Sequence, residues 1–263
     1  MSHAARRRLP FLLATLFLAT ACTATDGTDS ATASPADASA SPAPSADPVV
    51  REVPQAQWEE MVTAGMVRKG CPVTDRAQLR RVEINHHGFD GEIHRGVLVV
   101  NADTADSVVR IFTRLFDAEF PIRSMKPLEE FGGDNNASLR ADNTAAYNCR
   151  RPDQINAPVT ASPHANGRAV DINPLENPWK DLRCTCWSPS GEHSARTEGK
   201  GKILKGGLVW QAFLDEGWVW QNIRVPDYMH FDTGYPSEPY AGPGRREQSP
   251  LPTGQDTTGG GIG

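Results

Sequence analysis

Two short segments hold the residues with the most chemistry to offer. Ser162-Pro-His-Ala-Asn-Gly-Arg-Ala-Val-Asp171 supplies an imidazole at His164 and a carboxylate at Asp171, and Asp227-Tyr-Met-His-Phe231 supplies a second imidazole at His230 and a second carboxylate at Asp227. Two imidazoles and one carboxylate, with one coordination position left for water, describe a catalytic zinc site, because structural zinc sites close all four positions with protein ligands. A further carboxylate three residues before the last ligand is what a zinc hydrolase needs to take a proton from the attacking water. A His-x6-Asp spacing alone arises often by chance. The pairing with Asp227-x-x-His230 gives it weight.

The elements around these residues must turn them toward one point. Ala169-Val-Asp-Ile172 reads as a strand ended by Asn173-Pro and Asn177-Pro, with His164 on the loop that feeds it, and Gly167 permits a tight turn close to the metal. His230 lies between Met229 and Phe231 on a second strand piece, so its side chain leaves by the face opposite theirs. An isolated histidine there would be a core residue bonded to backbone, and the companion ligands argue otherwise. Asp227 follows Pro226 and opens this segment. Asp232 competes with it as the base, but stands past the ligand.

Elsewhere, residues 56–70 carry a weak helical period, Leu79 to Ile84 and Gly96 to Asn101 read as strands, and Asn85 to Gly91 reads as a turn. Asp103 is placed to cap a helix over about 104–119, whose apolar face is Val108, Val109, Ile111, Phe112, Leu115 and Phe116. Pro121 to Met125 reads as a buried strand. Residues 130–148 read as a long loop with a helical turn near 137–141, residues 179–205 as irregular, and Leu208 to Glu216 as a short helix. Trp218 to Trp220 reads as one more strand piece. Short strands mixed with a few helices, without βαβ spacing, point to α+β.

The ends carry an address. Residues 1–22 have the layout of a signal peptide: Arg6, Arg7 and Arg8, then an apolar run from Leu9 to Ala19, then Leu18-Ala-Thr-Ala-Cys22, which resembles a bacterial lipobox with Cys22 as the lipidated residue. Residues 23–49, rich in Ala, Ser and Pro, read as a disordered tether spanning roughly 25–30 Å, and 242–263 as a disordered tail. The folded domain is expected over 50–241. The formal charge is −5, and loss of the three leader arginines makes it more acidic still. With no basic block outside the leader, nucleic acid is an unsupported partner. A monomer is expected, touching the membrane only through its lipid. Four cysteines remain after Cys22, namely Cys71, Cys149, Cys184 and Cys186, which suits two disulfides in an oxidising compartment. Cys184 and Cys186 stand too close to pair without strain, so each is expected to reach elsewhere. A structural zinc on Cys184, Cys186 and His193 lacks a fourth ligand at a typical spacing.

Ser162-x-His164-x-x-Gly167-x-Ala169-x-Asp171 followed by Asp227-x-x-His230 resembles the zinc D-alanyl-D-alanine carboxypeptidase and L-alanyl-D-glutamate endopeptidase family of bacterial cell-wall peptidases. Gly88-Phe-Asp-Gly91, Gly96-Val-Leu-Val-Val100, Phe120-Pro-Ile-Arg123, Asp142-Asn-Thr-Ala-Ala-Tyr-Asn-Cys-Arg150 and Asp171-Ile-Asn-Pro174 are similar to an exported branch of it, so that the resemblance runs over about residues 70–235. It implies the Hedgehog/D,D-peptidase fold, an antiparallel sheet flanked by helices. It also implies Zn2+ held by His164, Asp171 and His230, Asp227 as the base, and hydrolysis of peptidoglycan stem peptides outside the cytoplasmic membrane. An arginine would steady the oxyanion. Arg123 matches that role best, with Arg150 and Arg168 as rivals. Ser162 and Arg168 would support the substrate or a ligand. Asp227, where the carboxypeptidases carry glutamate, lies nearer the endopeptidase side, and Trp179 to Gly207 has no counterpart in the family pattern. The alternative is a non-catalytic lipoprotein of the same fold that binds wall peptides.

Overall fold

A computed structural model describes residues 43–154, 159–221 and 225–244. The leader with Cys22, most of the tether and the tail beyond residue 244 lie outside the described residues.

The longest ladder is a hairpin of β2 (Leu79–His87) and β3 (Ile93–Asn101), in register from Leu79 opposite Asn101 to His87 opposite Ile93. Leu79, Val82 and Ile84 of β2 are buried. The strand runs three residues past the expected end at Ile84, because Asn85, His86 and His87 still find partners in Arg95, His94 and Ile93. The turn is therefore shorter than the sequence suggests, closed by a bond from the Gly88 amide to the Glu92 carbonyl. β1 (Val49–Glu52) pairs with the other edge of β2, and Ala46 just before it is buried, so ordered chain begins inside the stretch assigned to the tether.

Helix α1 spans Gln55–Thr63 and α2 spans Ala105–Asp117. Val108, Ile111, Phe112, Leu115 and Phe116 of α2 enter the core, each contributing about 1.5–3 kcal/mol by leaving water. The cap of α2 is Thr104 rather than Asp103, whose carboxylate pairs with Arg168 instead. Helix α4 (Leu208–Asp215) joins α2 through Arg110–Glu216 and Arg114–Asp215 ion pairs, and its Phe213 ring stacks on Phe231 at 4.0 Å.

The second antiparallel sheet, in the order β6 (Ala169–Asp171), β10 (His230–Asp232) and β9 (Val219–Trp220), carries the chemistry. The extended stretch after the short parallel pair β4 (Ser124–Met125) and β5 (Asn143–Thr144) sutures it to the first sheet. There the Tyr147 amide bonds to the Val99 carbonyl at 2.9 Å, and Ala145 exchanges two backbone bonds with Asp171. Between β4 and β5 the loop carries a 3-10 turn (Leu128–Phe131) and α3 (Asn135–Arg140), capped by the Asp134 side chain on the Ala137 amide. The result is an α+β fold with antiparallel sheets and few helices, as the sequence indicates.

Two disulfides form. Cys71–Cys149 ties the segment after α1 to the stretch before Arg150. The second joins Cys184 to Cys186, contrary to expectation. These cysteines flank Thr185, whose left-handed φ of 55° turns both side chains to one side at the tip of a hairpin formed by β7 (Trp179–Asp181) and β8 (Cys186–Ser188). That pairing also removes both thiolates from any structural zinc site.

Candidate metal centre and active site

Antiparallel pairing of β6 with β10 places Asp171 directly opposite His230, and side chains opposite one another on a ladder share a face at about 5 Å between Cβ atoms. His164 comes from a 3-10 turn (His164–Asn166) stopped by Gly167 at a φ of 70°. The reason for this glycine differs from the one inferred from sequence. Its close neighbour is β3 rather than the metal: its carbonyl accepts from the Asn101 amide at 2.7 Å, and a Cβ there would sit 2.6 Å from that nitrogen. The Asn101 side-chain amide adds a bond to the Asn166 carbonyl at 2.8 Å. The His164 turn is thus stapled to the end of the longest strand.

His164 Nδ1 lies 2.7 Å from the Ala146 carbonyl oxygen, which can only accept, so that nitrogen carries the proton and Nε2 keeps a lone pair. His230 Nε2 lies 2.9 Å from the Asp232 carboxylate, so Nε2 carries a proton and, in the neutral ring, Nδ1 keeps the lone pair. His164 Nε2 and His230 Nδ1 face each other at 3.0 Å. Asp171 completes the set, with Oδ2 3.3 Å from His164 Nε2 and Oδ1 3.2 Å from His230 Nδ1. Three buried donor atoms converge on one point, an arrangement that repels itself unless a proton or a metal cation sits among them. Donors on a tetrahedral zinc at about 2.0–2.1 Å stand about 3.3 Å apart, which these separations match. The charge environment agrees. Burial alone would lift the Asp171 carboxyl, but His164 and then His230 outweigh it and hold it well below the usual range. Burial alone would lower His230, but Asp171 and Asp232 push it well above its ordinary value. A field that favours a proton on His230 also favours a divalent ion beside it.

Asp227 stands next to this group, at an isolated bridge to Trp179. It is buried, and its Oδ1 has no hydrogen-bond partner among the described residues. Burial pushes its carboxyl up to about 7; the Asp171 charge adds to the rise, while His230 and Arg150 oppose it. A cavity of about 80 Å³ opens over Asp171 and Asp227, walled by Arg150, Trp179, Arg183 and Met229 among others. A carboxylate of this kind, unpartnered and beside a cation site, is built to receive a proton.

The other expected site residues are placed differently. Arg123 faces Asp142 at 2.8 Å and Glu176 at 3.3 Å, with its guanidinium over the Phe89 ring at 4.1 Å, and it does not line the cavity. The arginines that do are Arg150 and Arg183; Arg183 is paired with Asp181, whereas Arg150 Nε has no partner among the described residues and the Arg150 charge acts on both Asp171 and Asp227. Arg168 is held by Asp103 at 2.7 Å and does not line the cavity. Ser162 contributes its backbone carbonyl to Asn166 at 2.9 Å, securing the His164 turn. Asp232, which the sequence reading set aside as a base, lies against His230 Nε2. On a strand, i and i+2 share a face, and that spacing was the available signal for a carboxylate behind His230.

Residues 156–233 match a family model described as D-alanyl-D-alanine carboxypeptidase. The matched span contains all four of His164, Asp171, Asp227 and His230 and ends before the tail, while Arg123 and Arg150 precede it. No curated protein and no solved structure matches the chain. The family match supports a peptidase.

Proposed function

We propose that this protein is a zinc peptidase that hydrolyses peptidoglycan stem peptides outside the cytoplasmic membrane. The observation that carries the reading is the convergence of His164 Nε2, His230 Nδ1 and an Asp171 oxygen on one point, beside the buried Asp227 carboxylate, whose Oδ1 has no partner among the described residues. The matched family supports peptidase chemistry on wall peptides. The leader and the lipobox-like Leu18-Ala-Thr-Ala-Cys22 support export with a lipid on Cys22, which would hold the domain near new wall.

His164, Asp171 and His230 would hold the zinc, which when bound supplies Lewis acidity toward the scissile carbonyl and an acidified water. Asp227 takes the proton from the attacking water through its free Oδ1. The same carboxyl then delivers that proton to the leaving amine, so the group ends each turnover as it began. Arg150 takes the oxyanion role in place of Arg123, because Arg150 lines the cavity with its charge acting on Asp171 and Asp227, while Arg123 is committed to Asp142 and Glu176 and Arg183 to Asp181. Asp232 fixes the His230 ring and its tautomer. Trp179 and Arg183, from the disulfide-closed hairpin, shape the groove that selects the peptide.

The test combines metal content with digestion of muropeptides followed by mass spectrometry. The wild-type protein should carry one zinc and release a product of defined mass, either D-alanine or an internal fragment, and His230→Ala should do neither. Turnover that survives His230→Ala would rule out the metal mechanism. Binding of muropeptides with no product from the wild type would point instead to a non-catalytic wall-peptide receptor.

A further inference from the structure

We propose that Asn148 is a substrate-binding residue, whose Oδ1 accepts a backbone N–H from an extended peptide lying across the metal centre. This deepens the hydrolase reading above and rests on it. Asn148 is buried, and its Oδ1 has no hydrogen-bond partner among the described residues. Its orientation is fixed from both ends. Its backbone amide bonds to the His164 carbonyl at 3.0 Å, and its Nδ2 donates to Asn135 Oδ1 at 2.8 Å. The amide nitrogen is therefore committed, and the oxygen is the group left over.

That oxygen belongs to a small recess lined also by His164, Asp171, Asn135 and Leu139. The recess continues the larger cavity, with which it shares Asn135, Leu139 and Asp171. A buried acceptor without a partner is costly, and such atoms are concentrated here. Among the described residues Asn148 Oδ1, Arg150 Nε, Gln154 Oε1 and Asp227 Oδ1 all lack partners, and all four residues line one of these two spaces. Asn148 and Arg150 are two residues apart on extended chain, so they project to the same side. One offers an acceptor and the next a donor. An extended peptide presents N–H and C=O groups in the same alternation, which is the complement required: Arg150 on the carbonyl side and Asn148 on a neighbouring N–H. The ligand class that follows is an amide-linked peptide. An ester in place of the amide would set oxygen lone pairs against Oδ1.

The experiment is a kinetic cycle on the purified protein, using stem-peptide substrates and matched depsipeptides in which one non-scissile backbone N–H at a time is replaced by an ester oxygen. For the wild type, one replacement position should raise KM about tenfold with kcat nearly unchanged. Asn148→Leu, which keeps the volume and loses the acceptor, should raise KM for the all-amide peptide by a similar factor and abolish the amide–ester difference at that position, with zinc content intact. If Asn148→Leu does not fold, Asn148→Ala carries the same comparison. An amide–ester difference of equal size in wild type and variant, or an unchanged KM in the variant, would overturn the assignment of Asn148. A wild type that cleaves none of the peptides would instead overturn the hydrolase reading, and this inference with it.

Discussion

Asp232→Asn isolates the role of a residue that never touches the metal site directly. In the native protein the Asp232 carboxylate lies 2.9 Å from His230 Nε2 and also accepts the Gly234 amide at 2.9 Å. Both groups are buried, so the bond is charge-assisted in a dry place. It keeps the His230 proton on Nε2 and leaves Nδ1 bare toward His164 and Asp171. An asparagine of the same shape removes the charge and, with its NH2 turned to the ring, stabilises the opposite tautomer, which puts the proton where the metal belongs. Outer partners of this kind are worth about 10- to 100-fold in metal affinity, or about 1.4–2.7 kcal/mol. Because the substitution favours the wrong tautomer as well as weakening the right one, the expected loss is near the upper end. Competition of the protein against a chelator of known zinc affinity measures it, with thermal melting as a control for folding. An affinity within twofold of wild type would refute the reasoning that Asp232 sets the His230 lone pair.

Asp227→Asn should lower kcat by about 10²- to 10⁴-fold while zinc stays bound, since the carboxylate moves a proton rather than holding the ion; loss of metal in this variant would move Asp227 among the ligands. Asp227 must be ionised to act, and burial raises its carboxyl to about 7 before any nearby cation pulls it down, so activity should fall on acidification through a pKa between the ordinary carboxylate value and about 7. A pH–kcat/KM profile flat across that window would contradict its role as base. Arg150→Lys should cost about 10²- to 10³-fold in kcat, whereas Arg123→Lys should leave kcat nearly unchanged and lower the melting temperature, because its guanidinium neutralises buried Asp142 and Glu176; steady-state kinetics and melting curves of both variants check this contrast. Gly167→Ala should destabilise the protein by at least about 1–2 kcal/mol, from the left-handed backbone alone, with the contact to Asn101 adding to it; denaturant titration measures the loss.

The convergence of His164, Asp171 and His230 was legible because each stands in a local pattern with a geometric meaning. Alternation along Met229-His230-Phe231 sends His230 away from its apolar neighbours, and a strand ending at Asp171 can lie opposite it in an antiparallel pair. The α2 helix was legible for the same reason, since its apolar face repeats over three turns. What failed to show was set by contacts between distant segments. Arg123 and Arg150 look alike in sequence, and only the placement of Asp142 and Glu176 around the first decides that the second is available. Strands as short as Trp179–Asp181 and Cys186–Ser188 have no period to read, so the hairpin and its Cys184–Cys186 bond were missed. The left-handed Thr185 that allows the bond has no signature of its own, threonine being an unusual residue for that conformation. Gly167 was correctly marked as special, but the close approach it allows is to β3, which lies more than sixty residues away in sequence.

The most direct measurement is zinc-edge X-ray absorption on the purified wild-type protein, with zinc content determined for His164→Ala and His230→Ala alongside. A first coordination shell of two imidazole nitrogens and carboxylate and water oxygens at about 2.0–2.2 Å, with one equivalent of zinc that each histidine variant loses, is the expected result. Sulfur in that shell, or variants that keep their zinc, would contradict a centre built from His164, Asp171 and His230.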